Sequence, residues 1–258
     1  MFFAFIGALI GGFIGGFPGV LVGAACGYVA QRLIQRSVVG TLQLAHSQLL
    51  ESVFSIMGAV CKADNVVTRD EINAVEQMFT MLRVTGEQRE AAKAAFARGK
   101  ARNFDLDAAV DKFASLTRGR GPLVTLFLQM QVMAVAADGV VHPAEHAMLV
   151  RIARRLGLSE QDVAQLEALL RAGTGRQSGS GSPPTADRLA DAYKALGVTP
   201  DTGGADIKRA YRKLISANHP DKLAARGLPE SMRAVAEERS REINSAYDLL
   251  KGARPDIK

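Results

Sequence analysis

Tryptophan is absent from this chain of 258 residues, and cysteine occurs only twice, at Cys26 and Cys61. Two cysteines can build neither a disulfide framework nor a four-thiolate zinc site within one chain. The alternation of polar and β-branched residues that is typical of strands is also scarce. Long runs instead place apolar residues at helical spacing, so the sequence predicts an all-α fold with its cysteines reduced.

Neither sign of charge is scarce, although the balance is basic. Lysine and arginine total 32 against 26 acidic residues, which gives a net charge of +6 and a pI near 9.5. This balance suits an anionic partner, and nucleic acid, anionic lipid and an acidic protein groove are all compatible with it. The positions of the charges must therefore distinguish these partners.

No charged side chain occurs in residues 1–31. Because about 20 apolar residues of helix cross a hydrocarbon core, this segment is predicted to be a single transmembrane anchor. The first cations, Arg32 and Arg36, follow the segment and none precedes it, so the positive-inside bias places the short N-terminus outside and the bulk of the chain in the cytoplasm. A secretory signal peptide would instead need a basic start, a shorter apolar core and a cleavage site.

Glycine recurs at every fourth position of this anchor. Residues four apart share one helix face, so these glycines form a groove that lets a second helix approach closely in lipid. We therefore expect the anchor to self-associate, with a homodimer as the product. Pro18 lies within the segment and either kinks the helix or divides it into a re-entrant hairpin. The glycines of the ladder are Gly7, Gly11, Gly15, Gly19, Gly23 and Gly27.

A weak internal repeat lies within residues 40–171. The segment ADNVVTRDE at 63–71 matches ADGVVHPAE at 137–145 in five positions, with a constant offset of 74 residues. Asn65 and Gly139 are the residue types that end helices in the left-handed conformation. Thr68 and Glu71 have the spacing of a capping box. Each copy therefore predicts a helix, a tight turn and a capped helix.

This pair of turns resembles the TerB-like helical domain found in membrane-anchored DnaJ-like proteins. The resemblance covers residues 40–171 and implies a helical bundle. The paired acidic turns of such domains have been considered as cation sites, and Asp64, Glu71, Asp138 and Glu145 could supply oxygen ligands here. Capping explains the same residues without a metal, so we favour the structural role and predict no metal site.

Residues 142–146, HPAEH, also fit the H-x-x-E-H pattern of some zinc proteases. Pro143 is most natural at the first helical position, which makes His142 the cap and removes it from the helix face of His146. The first copy of the turn has Thr68 and Ile72 at the histidine positions. A zinc hydrolase is therefore the least favoured function.

A segment without large apolar residues, AGTGRQSGSGSPPTA at 172–186, predicts a flexible linker. Its random-coil reach of roughly 20 Å would let the next domain swing near the anchor. Residues 187–258 then contain three helical patterns, at 187–196, 205–218 and 230–251. The second pattern has an apolar stripe and a basic stripe, the latter made of Lys208, Arg209, Arg212 and Lys213.

Four ordered blocks in this last region resemble a J domain. They are YKALGV at 193–198, IKRAYRKL at 207–214, HPDK at 219–222 and INSAY at 243–247. A lone HPD tripeptide is a weak signal, whereas four blocks in order and at matching spacing are specific. The resemblance implies a helical hairpin with a short flanking helix and an HPD turn between the hairpin helices.

Pro220 cannot continue a helix and biases His219 toward an extended backbone, so the HPD turn is predicted to be exposed. In J domains this turn triggers ATP hydrolysis by a DnaK-class heat-shock protein 70, and the basic stripe docks on that partner. The resemblance thus implies His219, Pro220 and Asp221 as the stimulating motif. It implies as docking residues Lys208, Arg209, Arg212, Lys213 and Lys222. Nucleic acid is the poorer partner, because no aromatic interleaving or recognised binding motif accompanies the cations.

The order of anchor, TerB-like domain, linker and terminal J domain resembles the DjlA-like family throughout. That resemblance implies a non-enzymatic co-chaperone without cofactors at the cytoplasmic face of a bacterial inner membrane. The chain has neither the Gly/Phe-rich segment nor the CxxCxGxG zinc repeats of full-length DnaJ, so general client binding is not expected. The alternative is a membrane signalling adaptor that works through oligomerisation of the anchor, with the J domain secondary.

Overall fold

The structure is a computed structural model, and it describes residues 46–64, 66–117, 121–137, 139–174 and 185–257, with the run 24–29 and a few scattered positions before residue 46. Contacts divide the chain into two units, residues 1–50 and 51–258. Every regular element in these described ranges is a helix, as the sequence predicts.

The first unit contains the predicted membrane anchor. Its described positions between residues 5 and 32 are helical, including residues 24–29. Within the described part of the chain, no helix is both long enough and apolar enough to cross a bilayer. Pro18 and the glycine ladder lie outside the described residues, except for Gly27, which is helical. Self-association of the anchor stays a prediction.

The helices that carry the internal repeat pack around one apolar core. Phe54 and Phe79 have ring centroids 4.7 Å apart, and those of Phe113 and Phe127 are 4.0 Å apart. All four side chains are buried, because each amphipathic helix turns one stripe inward. The helices are α1 (residues 46–60), α2 (Arg69–Met81), α3 (Gly86–Gly99), α4 (Leu106–Leu116), α5 (Gly121–Val135), α6 (Pro143–Arg155) and α7 (Glu160–Thr174).

The first copy of the repeated turn is the capping box that the sequence predicts. The Thr68 backbone N–H donates to Oε2 of Glu71 at 2.6 Å, and the Glu71 backbone N–H donates to Oγ1 of Thr68 at 3.2 Å. These bonds satisfy N–H groups that would otherwise be unpaired at the start of α2. Asn65, predicted to end the preceding helix, lies outside the described residues.

The second copy follows the same plan with different residues. His142 is the N-cap of α6, Pro143 is the first helical residue, and the His142 backbone N–H donates to Glu145 at 2.8 Å. Gly139 has φ +87°, the left-handed conformation expected at this turn. The predicted placement of His142 outside the helix is therefore confirmed.

The C-terminal region contains the predicted hairpin and its flanking helix, with one helix more than expected. The elements are α8 (Ala186–Ala195), α9 (Gly204–Asn218), α10 (Pro220–Ala225), a 3₁₀ turn (Glu230–Met232) and α11 (Arg233–Ala253). Helix α10 was not predicted, because Pro220 was interpreted only as a helix stop. Proline also suits the first position of a new helix, where no backbone N–H is needed.

The predicted linker at 172–186 is shorter than expected at its first end. Helix α7 continues to Thr174, and Ala172 is fully buried. The reason is that α7 packs against α8 and α11, and the three helices share one apolar core. This packing differs from the expectation of a domain that swings on a tether. Residues 175–184 lie outside the described residues.

Candidate functional site

The HPDK quadruplet lies at the junction between α9 and α10. His219 ends α9 and caps α10 with φ −62° and ψ 127°, an extended conformation. Its Nδ1 accepts a hydrogen bond from the Asp221 backbone N–H at 3.2 Å. Because the chain turns here, the side chains of His219 and Asp221 are 53% and 69% exposed. The turn is thus open to a partner, as predicted.

Asp221 forms an ion pair with a residue that the sequence did not predict for this site. Arg233, the first residue of α11, donates from Nη2 to Oδ1 of Asp221 at 3.1 Å and from Nε to Oε1 of Glu237 at 3.2 Å. The Glu237 and Asp221 carboxylates raise the pKa of Arg233. Twelve residues separate Arg233 from Asp221, so no local pattern marks the pair. The fold of the hairpin is what brings them together.

The predicted basic stripe lies on α9, next to this turn. Each of its four cations lies three or four residues from at least one of the others, so together they cover one side of the helix. Arg209, Arg212 and Lys213 are exposed and Lys208 is half-buried. Arg209 pairs with Asp206 at 2.8 Å, an exposed pair that contributes little to stability. The face therefore stays positively charged and accessible.

Lys222 joins the basic stripe through a contact with α9. Its Nζ donates to Oγ of Ser216, and Ser216 lines the same surface recess as the four stripe cations. This contact places the fifth predicted docking cation beside the others, although it lies beyond the end of α9. The sequence alone did not reveal Ser216 as its partner.

The two long helices of the hairpin are clamped next to the turn. The rings of Tyr211 and Tyr247 stack with centroids 4.0 Å apart and planes 13° apart. Tyr211 also donates its hydroxyl to Oδ1 of Asn244 at 2.9 Å, and burial raises its pKa, which favours the protonated donor. Oγ of Ser240 on α11 lies within hydrogen-bond distance of two carbonyl oxygens, that of Asn218 at the end of α9 at 3.3 Å and that of Ala236 within α11 at 3.0 Å. The position of the HPD turn relative to α11 is therefore well specified.

The other candidate sites do not form comparable arrangements. Nδ1 of His146 lies 2.7 Å from Oε1 of Glu167, while His142 caps the helix, so the two histidines do not share one face. Burial, together with the nearby Glu71 and Asp64 carboxylates, raises the pKa of Glu145 to about 7. Among the described residues no cluster of three or more His, Cys, Asp or Glu side chains could hold a metal ion.

Two segments of the chain match known protein families. Residues 50–168 match the family described as tellurite resistance protein TerB, and residues 191–254 match the DnaJ domain. The repeated turns lie in the first match, and the HPD turn with its basic stripe lies in the second. No solved structure matches the chain.

Curated relatives named co-chaperone protein DjlA align with most of the sequence. The protein from Vibrio vulnificus strain CMCP6 is 42% identical over 224 residues, which cover 79% of this chain and 77% of the relative. The protein from Escherichia coli O157:H7 is 39% identical over 209 residues, with coverages of 78% and 77%. The protein from Shewanella oneidensis is 35% identical over 221 residues, with coverages of 84% and 82%.

Proposed function

Because the chain belongs to the DjlA co-chaperone family, we propose that its J domain binds a DnaK-class heat-shock protein 70 and stimulates the ATP hydrolysis of that partner. The observation that carries this proposal is the exposed HPD turn, held at the end of the basic helix α9 by Arg233. The co-chaperone supplies no reacting group. It acts on the nucleotide cycle of another protein.

The basic stripe supplies the first step, which is capture of the partner. Exposed cations that face an acidic surface raise the association rate, and salt weakens this effect strongly. Each exposed ion pair adds little affinity by itself, because its charges are already well solvated. We therefore assign Lys208, Arg209, Arg212, Lys213 and Lys222 mainly to docking rate and orientation.

The HPD turn supplies the second step, which is stimulation. Proline and the helix-capping position hold the backbone of His219 before the partner arrives, so little conformational entropy is lost on binding. Arg233 likewise holds the Asp221 carboxylate. Stimulation requires that these groups contact the partner more favourably on the way to hydrolysis than in its resting ATP-bound state.

The proposal is tested by the steady-state ATPase rate of DnaK with the detergent-purified full chain. The wild-type chain should raise the rate, and His219→Gln should return it to the basal value. His142→Gln is the matched control, because the same change is made at an exposed histidine on the other domain. An unchanged rate with the wild-type chain, or full stimulation by His219→Gln, would reject the proposal.

We further propose that residues 1–31 anchor the protein in the inner membrane, with the J domain in the cytoplasm and the anchors paired as a homodimer. The uncharged segment, the cations Arg32 and Arg36 after it and the glycine ladder support this arrangement.

Removal of residues 1–31 should move the protein to the soluble fraction. Gly15→Leu with Gly19→Leu should lower the yield of cross-linked dimer. If these glycine changes abolish the signalling response of the cell while His219→Gln preserves it, the protein is a membrane signalling adaptor instead.

A further inference from the structure

The helical bundle that carries the TerB match and the helices that carry the DnaJ match share an apolar seam. Helix α7 contributes Ala168, Leu169 and Ala172, and α8 contributes Ala192 and Ala195. All five are at most 3% exposed. Four of the five are alanines, whose small side chains let two helices pack closely, because the contact side chains set the distance between helix axes.

Polar contacts surround the apolar part of this seam. Nε2 of Gln165 on α7 donates to the Ala195 carbonyl at the end of α8, at 2.8 Å. This bond satisfies a carbonyl that has no partner within its own helix. Arg171 on α7 forms an ion pair with Asp191 on α8 at 3.0 Å. The seam therefore has directional contacts in addition to apolar burial.

Gln129 of α5 forms the buried polar centre of the seam. Its Nε2 donates to Oε2 of Glu242 at 2.8 Å, and its Oε1 accepts from Nη1 of Arg239 at 3.1 Å. Both partners belong to α11 of the J domain. All three side chains are at most 7% exposed. One amide thus uses its donor and its acceptor to bind two ionisable groups of the other domain.

Burial explains the charge states of these partners. It raises the pKa of Glu242 to about 8 even though the nearby Arg239 opposes that shift. It lowers the pKa of Arg239 to about 10, which leaves the guanidinium charged at neutral pH. A mostly neutral carboxyl costs less to bury than a carboxylate. The seam then holds one buried cation, and Gln129 supplies an oxygen acceptor to its Nη1, whereas its Nε is buried without a hydrogen-bond partner in the structure described.

This network distinguishes one orientation of the J domain from others. If α11 slid along the seam, Arg239 and Glu242 would be buried away from the Gln129 amide. A buried polar group without a partner costs more than a formed hydrogen bond contributes. The apolar contacts hold the two domains together with little directionality, whereas the polar contacts select their register.

We propose that Gln129 is a positioning residue that seats the J domain on the TerB bundle in one orientation. We further propose that the J domain acts on its partner while it is held in this orientation. The second half of the proposal rests on the proposed function. In the seated state the HPD turn and the basic stripe are uncovered, since His219, Asp221 and Arg212 are exposed. Seating therefore orients the co-chaperone surface and does not block it.

The first test cuts the chain between the two domains. A site-specific protease sequence is introduced into segment 175–184 of the full chain, and the cut protein is captured through a tag at its C-terminus. The N-terminal fragment should stay bound to the captured J domain. Separation of the wild-type fragments immediately after cleavage would overturn the proposal.

Variants at the seam sharpen this test. Gln129→Ala should speed separation of the fragments at least tenfold. Gln131→Ala is the matched control, because Gln131 is equally buried in α5 but bonds the Val53 carbonyl within the TerB bundle, and it should not speed separation. Glu242→Gln keeps an oxygen acceptor for Gln129, so the two fragments of this variant should stay bound to each other. Equal retention of Gln129→Ala and the wild type would refute the role of Gln129, and circular dichroism before cleavage identifies misfolding.

The second test asks whether the seated J domain is active. Arg171→Cys and Asp191→Cys are joined by a short, reducible bis-maleimide reagent in a chain that also carries Cys26→Ala. The linked protein should stimulate the ATPase of DnaK as strongly as the same protein does after reduction of the linker. Stimulation that appears only after reduction would overturn the seating proposal. If neither form stimulates DnaK, the proposed function fails, and so does the proposal that the J domain is active while it is docked on the TerB bundle. The cleavage test still shows whether the J domain docks there.

Discussion

Helices α1 and α3 cross at two glycines, and this crossing provides a quantitative test of the TerB bundle. A Cβ added to Gly99 would overlap the Ser55 carbonyl oxygen and lie 2.8 Å from the carbonyl carbon. A Cβ added to Gly58 would overlap the Phe96 carbonyl oxygen and lie 3.0 Å from its carbon. Backbone carbonyls cannot rotate away as flexible side chains can. We therefore predict that Gly99→Ala destabilises the bundle.

The magnitude follows from the separation that the new methyl group requires. Carbon atoms pack favourably at about 3.5 Å, so the contact with the Ser55 carbonyl carbon alone requires the helices to move apart by roughly 0.7 Å at Gly99, and the overlap with the carbonyl oxygen requires more. Overpacking of this kind costs about 1–3 kcal/mol. The better helix propensity of alanine recovers up to about 1 kcal/mol. Because the contact is with rigid backbone, we expect an overpacking cost near the upper end of this range, about 3 kcal/mol. After the gain in helix propensity is subtracted, the net loss is about 2 kcal/mol.

The assay is thermal unfolding of the detergent-purified full chain, followed by circular dichroism. A loss of about 2 kcal/mol should lower Tm by about 4–8 °C for a folded unit of this size. Gly58→Ala should behave similarly. Gly252→Ala is the control, since nothing lies within 4 Å of a Cβ placed there, and it should not lower Tm. A Gly99→Ala protein as stable as the wild type would show that the two helices do not cross so closely.

Three further predictions concern docking, pH dependence and the hairpin clamp. Lys213→Ala should slow association with DnaK several-fold at low salt and much less at high salt, whereas Lys251→Ala should not, as measured by stopped-flow binding. Glu145 has a pKa raised by burial to about 7, so its contribution to stability is present below the unfolded-state pKa and is lost as pH rises through 7. Glu145→Gln should therefore flatten the fall in Tm between pH 5 and pH 8, and an unchanged slope would contradict this assignment. Tyr211→Phe removes the hydrogen bond to Asn244 and should cost about 1 kcal/mol in urea unfolding, and no loss would show that this bond does not stabilise the hairpin.

Several features of the fold followed from local sequence rules. Helical spacing predicted the all-α fold, and the buried residues of α11 include Val235, Ile243 and Leu250, as that spacing requires. Thr68 and Glu71 form the predicted capping box because both bonds lie within one helical turn. The start of the linker was predicted less well, at residue 172. Composition does not show that α7 continues to Thr174, where it packs against two other helices.

Sequence alone therefore determined the helical class, the caps at Thr68 and His142, the HPD turn and the basic stripe, since each depends on residues only a few positions apart. Tertiary structure decided which distant groups meet. Arg233 reaches Asp221 only after the hairpin closes, and Gln129 meets Glu242 across 113 residues. The physical reason is that periodicity specifies which face of a helix is apolar or polar, whereas the partner of that face depends on how all the helices pack together.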